Sequence, residues 1–152
     1  MKVVTKNPWS FCVVMFTMLL CSSCSHYKSI SDNKKIDTRL VGTWIGEEED
    51  KQMKGVKKQW EMLRNDDGTF QLLFKVITNG KVNEHIEVGT WWVKDGLFYE
   101  YHDISKLTDT YKFDVVNKDL IKFEMQKSKI NFNDVEYIFF DARKGTSKVK
   151  LD

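Results

Sequence analysis

The chain has 152 residues, of which 41% are apolar, 30% charged and 13% aromatic, with one proline and three cysteines. That length suits one domain. The charge content and a mean hydropathy of −0.45 exclude a polytopic membrane protein, and the aromatic content excludes a disordered chain. Lys2 and Lys6 account for the formal net charge of +2. The remainder is neutral and lacks the basic footprint that a nucleic-acid partner requires.

Residues 1–23 read as a secretory leader. Lys2 and Lys6 form its basic start, and residues 11–20 form an apolar run of ten. Ten residues are too few to cross a bilayer as a helix but fit the hydrophobic region of a signal sequence. Leu19-Leu20-Cys21-Ser22-Ser23-Cys24 then resembles the lipobox of bacterial lipoproteins. Cys24, preceded by two serines, is the better acceptor, because Cys21 follows Leu20 where a small residue is wanted. The resemblance implies a mature chain that begins at Cys24 and is held by acyl chains to the bacterial envelope, with Ser25 favouring the outer membrane. All three cysteines lie at or before position 24, so the body has no disulfide and must be stabilised by its core alone. Residues 24–36 are polar apart from Tyr27, Ile30 and Ile36, and read as the lipidated N-terminus and a flexible tether.

The rest reads as short strands at hairpin spacing. Asn65-Asp66-Asp67-Gly68, Asn79-Gly80, Asp95-Gly96 and Asn117-Lys118-Asp119 supply turns. Between them lie eight predicted strands at 41–48, 56–64, 69–78, 82–94, 97–102, 110–116, 120–126 and 135–141. Phe70, Leu72, Phe74 and Val76 alternate with Gln71 and Lys75, as do Ile121, Phe123 and Met125 with Lys122, Glu124 and Gln126. One buried face and one wet face is the antiparallel signature. Closure removes exposed edges, so the expectation is an all-β, eight-stranded antiparallel up-and-down barrel over 37–144, with 145–152 as a tail. Asp37 heads the one helical turn expected, ending at Leu40. On the strand at 82–94, Gly89, Trp91 and Val93 share one face and Ile86, Val88 and Trp92 the other. Both faces are apolar, so one must be covered from outside by the N-terminal segment or by a partner protein. Which of Trp91 and Trp92 points inward is open.

Leu40-Val41-Gly42-Thr43-Trp44, Asp67-Gly68-Thr69-Phe70, Gly89-Thr90-Trp91 and the final Phe139-Phe140-Asp141-Ala142-Arg143 resemble, in this order, the lipocalin-like domains of bacterial envelope lipoproteins. The resemblance implies a barrel open at one end that holds a small apolar or amphipathic ligand. It also implies a closed end built on Trp44, with Arg143 as the basic residue covering it; a guanidinium over an indole is favourable by about 0.5–2 kcal/mol.

Chemistry is sparse. The sequence has no nucleophile elbow, phosphate loop or paired-histidine metal motif, and the reading is a non-enzyme without cofactor or metal. His85 and His102 are too far apart in sequence for a metal motif, and the acidic run 47–50 lacks the spacing of a calcium loop. Ser105 and His102 have no third orienting group. On the strand at 97–102, Leu97, Tyr99 and Tyr101 are expected inside, leaving Glu100 and His102 wet. The interior would then offer Trp60, Phe74, Trp91, Tyr99, Tyr101 and Phe113 to a ligand. Two further readings stand beside ligand binding. One is a barrel filled by its own rings. The other is a protein-binding module, such as a hydrolase inhibitor, using Trp92 and the acidic loop.

Overall fold

A computed structural model of the chain describes residues 26–31, 33–50, 53–127 and 137–145. The leader, Cys24 and the tail beyond Gly145 lie outside the described residues. Ten strands are present: β1 (Tyr27–Ser31), β2 (Lys34–Asp37), β3 (Gly42–Glu49), β4 (Val56–Arg64), β5 (Thr69–Thr78), β6 (Lys81–Lys94), β7 (Leu97–His102), β8 (Thr108–Asn117), β9 (Leu120–Lys127) and β10 (Ile138–Arg143). Strands β3 to β10 pair in chain order, each antiparallel to the next, and β10 returns to β3 through Ala142–Ile45 and Arg143–Trp44. The fold is a closed eight-stranded, lipocalin-like barrel. The first two residues expected in the last strand, Val135 and Glu136, lie outside the described residues.

The turns behave as their residues dictate. Asn79-Gly80 and Asp95-Gly96 take positive φ at both central positions, +50° and +77°, and +51° and +77°, which sets the twist that lets β5–β6 and β6–β7 pair without splaying. Asp37 caps the one 3-10 turn among the described residues, Thr38–Leu40, by accepting from Arg39 N, 3.0 Å. Among the described residues no helix is long and apolar enough to cross a membrane.

One prediction is corrected at the N-terminus. The segment expected to be a flexible tether is a hairpin: β1 pairs with β2, and β2 joins the barrel at Lys35–Val93. Its sequence carries little apolar signal, because it is held by specific contacts. Ile36 and Asp37 are fully buried, Arg39 Nη2 meets Asp37 Oδ2 at 2.6 Å, and Thr38 N donates to His26 O at 2.7 Å. Lys34 Nζ lies 3.8 Å from the Trp92 ring centroid, and Trp92 stacks on Tyr99 at 5.3 Å. The hairpin thus covers the outer face of β6 at Trp92, while Ile86 and Val88 on the same face stay exposed, and Trp91 is the tryptophan that points in.

The core runs along the barrel axis. Trp44 and Leu40 are fully buried at the lower end. Arg143 caps them, its guanidinium carbon 4.2 Å from the Trp44 ring centroid and its nitrogens donating to the carbonyls of Lys118, Val41 and Arg39. Above lie Trp91, Phe98, Tyr111, Phe123 and Phe139, with Trp60 against Phe139, in contacts of 5.1–5.9 Å between centroids. Two glycines make room for rings: a Cβ at Gly46 would overlap the Trp60 indole, and one at Gly89 would overlap Phe70 and the Tyr101 carbonyl.

Candidate functional site

The wall of the barrel is uneven. Strand β7 follows β6 only from Gly89 to Lys94, so above Gly89 strand β6 pairs with β5 alone. Odd residues of β6 face the interior: Val93 and Trp91 are buried, and Glu87 and His85 continue that row. His102, the last residue of β7, stands opposite Gly89. The missing side chain at 89 lets the edge of Phe70 reach the His102 ring, 5.5 Å between centroids.

Around His102 the barrel gathers carboxylates. Nδ1 meets Glu87 Oε2 at 2.6 Å, while Nε2 lies 3.4 Å from Glu100 Oε1 and 3.6 Å from Asp109 Oδ2. Glu87 also holds His85 Nε2 at 3.1 Å, and the His85 ring packs on Phe74 at 5.2 Å. Burial disfavours the imidazolium of His102, but hydrogen bonding to Asp109 and the charges of Glu100 and Glu87 outweigh it, pushing the pKa up to about 9. Burial raises Glu100 to about 7, against the opposing pull of His102 and Arg64. The raised pKa keeps the ring cationic at neutral pH, with Nδ1 donating to Glu87 Oε2 and Nε2 turned toward Glu100 and Asp109.

The β7–β8 turn closes the other side. Its backbone is tied down by Asp103 N to Val88 O, Lys106 N to His102 O and His102 N to Leu107 O. Between this turn and β6 lies a cleft of about 420 Å³, lined by His85, Ile86, Glu87, His102, Ile104, Ser105, Leu107 and Asp109. Ile86 and Ile104 are 56% and 74% exposed. The cleft therefore has an apolar rim and a charged base. Ser105 Oγ accepts from Leu107 N, 3.4 Å, and no hydrogen bond among the described residues joins it to His102. Nor do the described residues include a set of three or more His, Cys, Asp or Glu arranged to hold a metal ion.

The face of β7 is the main correction. Phe98, Glu100 and His102 are the buried row, and Tyr99 and Tyr101, expected to line the interior, lie on the outer face opposite Trp92 and Thr90. Sorting by polarity sends Glu100 and His102 to solvent, yet both have partners inside. Of the other predicted lining residues, Trp60 donates Nε1 to Asp141 Oδ1 at 2.7 Å, and Trp91 donates to Asn65 O at 3.1 Å. Phe113 lies 6.4 Å from Phe123, and Phe74 sits higher, beside His85. The acidic run is also paired: Lys58 Nζ meets Asp50 at 2.7 Å and Glu48 at 3.6 Å, and Lys57 Nζ meets Glu47 at 2.9 Å. Trp92, proposed as an exposed docking residue, is half-covered by Lys34.

Arg64, Asp141, Glu87 and Asp109 escaped the sequence reading. Arg64 is fully enclosed, paired to Asp141 Oδ2 at 2.7 Å and set against Phe98 and Phe123 with its carbon 5.1 and 5.0 Å from their centroids. For Glu87 a signal existed, since it shares the parity of Trp91. Comparison with protein families and with curated proteins returns no match for this chain.

Proposed function

We propose that the chain is a lipid-anchored protein of the bacterial envelope, attached through Cys24, whose barrel binds a small amphipathic ligand rather than catalysing a reaction. The observation that carries the binding reading is the cleft between β6 and the β7–β8 turn, with its apolar rim and charged base. The rings below are already in mutual contact, which favours this rim over the barrel axis as the place for a ligand. Ile86, Ile104 and Leu107 suit a greasy body, and the spare lone pairs of Glu87 and Asp109 suit a polar end that donates hydrogen bonds. Burying about 200 Å² of apolar surface there would contribute roughly 5 kcal/mol before the costs of association.

The test is titration with N-phenyl-1-naphthylamine, a neutral amphipathic dye. Saturable binding is expected, weakened at least about tenfold by Ile104→Asp and unchanged by Ile45→Asp on the far wall. Equal effects of the two substitutions, or no saturation, would overturn the assignment.

The same opening favours a second reading. Val88 O accepts from the β7–β8 turn, so by strand alternation the backbone groups of Val82, Glu84 and Ile86 also point away from β5. Among the described residues no strand pairs there, and an extended segment of a partner protein would add to such an edge. Glu84→Pro removes one outward N–H. It should abolish strand addition and leave dye binding intact.

A further inference from the structure

The route by which the chain enters the barrel sets how the molecule stands on a membrane. His26 O is fastened to Thr38 N at the closed end. Immediately afterwards Lys28 Nζ reaches Asp66, 3.2 Å from its backbone oxygen and 3.3 Å from Oδ2. The Ile30 and Ile36 side chains lie against Gly68 in the same turn. All of these contacts are at the end sealed by Trp44 and Arg143. Only Ser25 separates Cys24 from His26, and two residues reach at most about 7 Å.

We infer that the barrel rests on the bilayer with its closed end down and presents the cleft between β6 and the β7–β8 turn away from the membrane. This rests on the reading that Cys24 carries the lipid. A flexible tether would let the barrel tumble, but the hairpin removes that freedom. The exposed groups beside the anchor fit an interface of headgroups. Tyr27 and Ile30 are 43% and 40% exposed, and Lys35 and the turn residue Lys118 are exposed at the same end. Aromatic and basic side chains are the residues that settle at that depth. Glu87 lies six residues up β6 from Val93, the partner of Lys35. That is about 20 Å along the strand, or roughly 15 Å in height for a strand tilted by about 40°.

The mature chain has no cysteine other than Cys24, so single reporter thiols can be introduced at Lys118→Cys and Ser105→Cys, both on exposed turns. The lipid-bearing protein is purified, reconstituted into phosphatidylethanolamine–phosphatidylglycerol vesicles, floated on a density gradient and labelled with a donor dye. Energy transfer to acceptor-labelled headgroups is then read. Transfer from position 118 should exceed that from 105 by at least about twofold, because the two turns lie at opposite ends of the barrel, farther apart than the roughly 15 Å between Val93 and Glu87. Equal or reversed transfer on protein that floats would overturn the orientation and leave the anchor standing. Protein that stays at the bottom of the gradient would overturn the anchor, and the orientation with it.

Discussion

The two ends of the barrel bury charge in different ways. At the closed end and in the interior above it the positive partners are guanidiniums, which never lose their proton in water: Arg143 over Trp44 and Arg39 forked onto Asp37 at the end itself, and Arg64 against Asp141 between Phe98 and Phe123. At the rim the positive partner is His102, held by Glu87, Glu100 and Asp109, and these groups change charge in the neutral to mildly alkaline range, Glu100 at about pH 7 and His102 at about pH 9. One end is therefore wired permanently and the other conditionally. The permanent end is also the one the N-terminal hairpin seals, whereas the conditional end faces the cleft.

The largest expected effect breaks the permanent side. Asp141→Asn keeps the shape but strands Arg64 as an uncompensated buried charge, and urea unfolding at pH 7 should show a loss of about 3–5 kcal/mol. Adding Arg64→Met should recover part of it, because the penalty belongs to the unpaired charge. Next, Arg143→Ala removes the stack on Trp44 and the donors to three carbonyls, at a cost of about 1–3 kcal/mol. That cost should be the same at pH 6 and pH 9. A strong pH dependence in the Arg143 variant would erase the contrast between the ends.

The smallest effect sharpens the conditional side. His102 has a folded pKa of about 9 against 6.5 unfolded, so the folded state holds the extra proton between these values. Its contribution is complete below pH 6.5 and is lost as pH rises through 9. Glu100, raised to about 7, acts in the same direction from its ordinary range up to that pH. For His102 a difference of this size corresponds to about 3 kcal/mol; with roughly half of it lost to solvent screening in the open cleft, stability of the natural chain should fall by on the order of 1–2 kcal/mol from pH 6.5 to 9, and His102→Gln should flatten that slope. An equally steep slope in the variant would show that the titrating group lies elsewhere.

Alternation made most of the barrel legible. β5 and β9 each show a clean apolar row, and the Asn-Gly and Asp-Gly turns locate the hairpins. Strand β7 departs from its polarity pattern for a definite reason. Leu97, Tyr99 and Tyr101 look like the inner row when residues are sorted by polarity alone. What turns Glu100 and His102 inward is Arg64 on β4, Glu87 on β6 and Asp109 on β8, partners that lie on other strands and that a one-strand pattern does not show. The hairpin of β1 and β2 was hidden by the same limit: YKSIS and KKID carry little apolar rhythm, and their order comes from Asp37, Arg39 and the face of Trp92. The end of β7 was legible, since the spacing predicts a strand over 97–102 and β7 ends at His102; the charged base of the cleft was not, because it depends on which face β7 turns inward.

The glycines under the large rings bear on how such a chain can change over time. Gly46 is the floor on which the Trp60 indole lies, and Gly89 does the same for Phe70. Neither glycine can acquire a side chain while its ring stays, so each pair drifts only in a set order: the ring shrinks first, then the glycine is free to grow. The reverse order passes through an overpacked interior, which typically costs about 1–3 kcal/mol. In Gly89 the lock is double, because the Tyr101 carbonyl blocks the position even after Phe70 is cut back. Position 46 thus has an open mutational route through Trp60, and position 89 has none without moving β7.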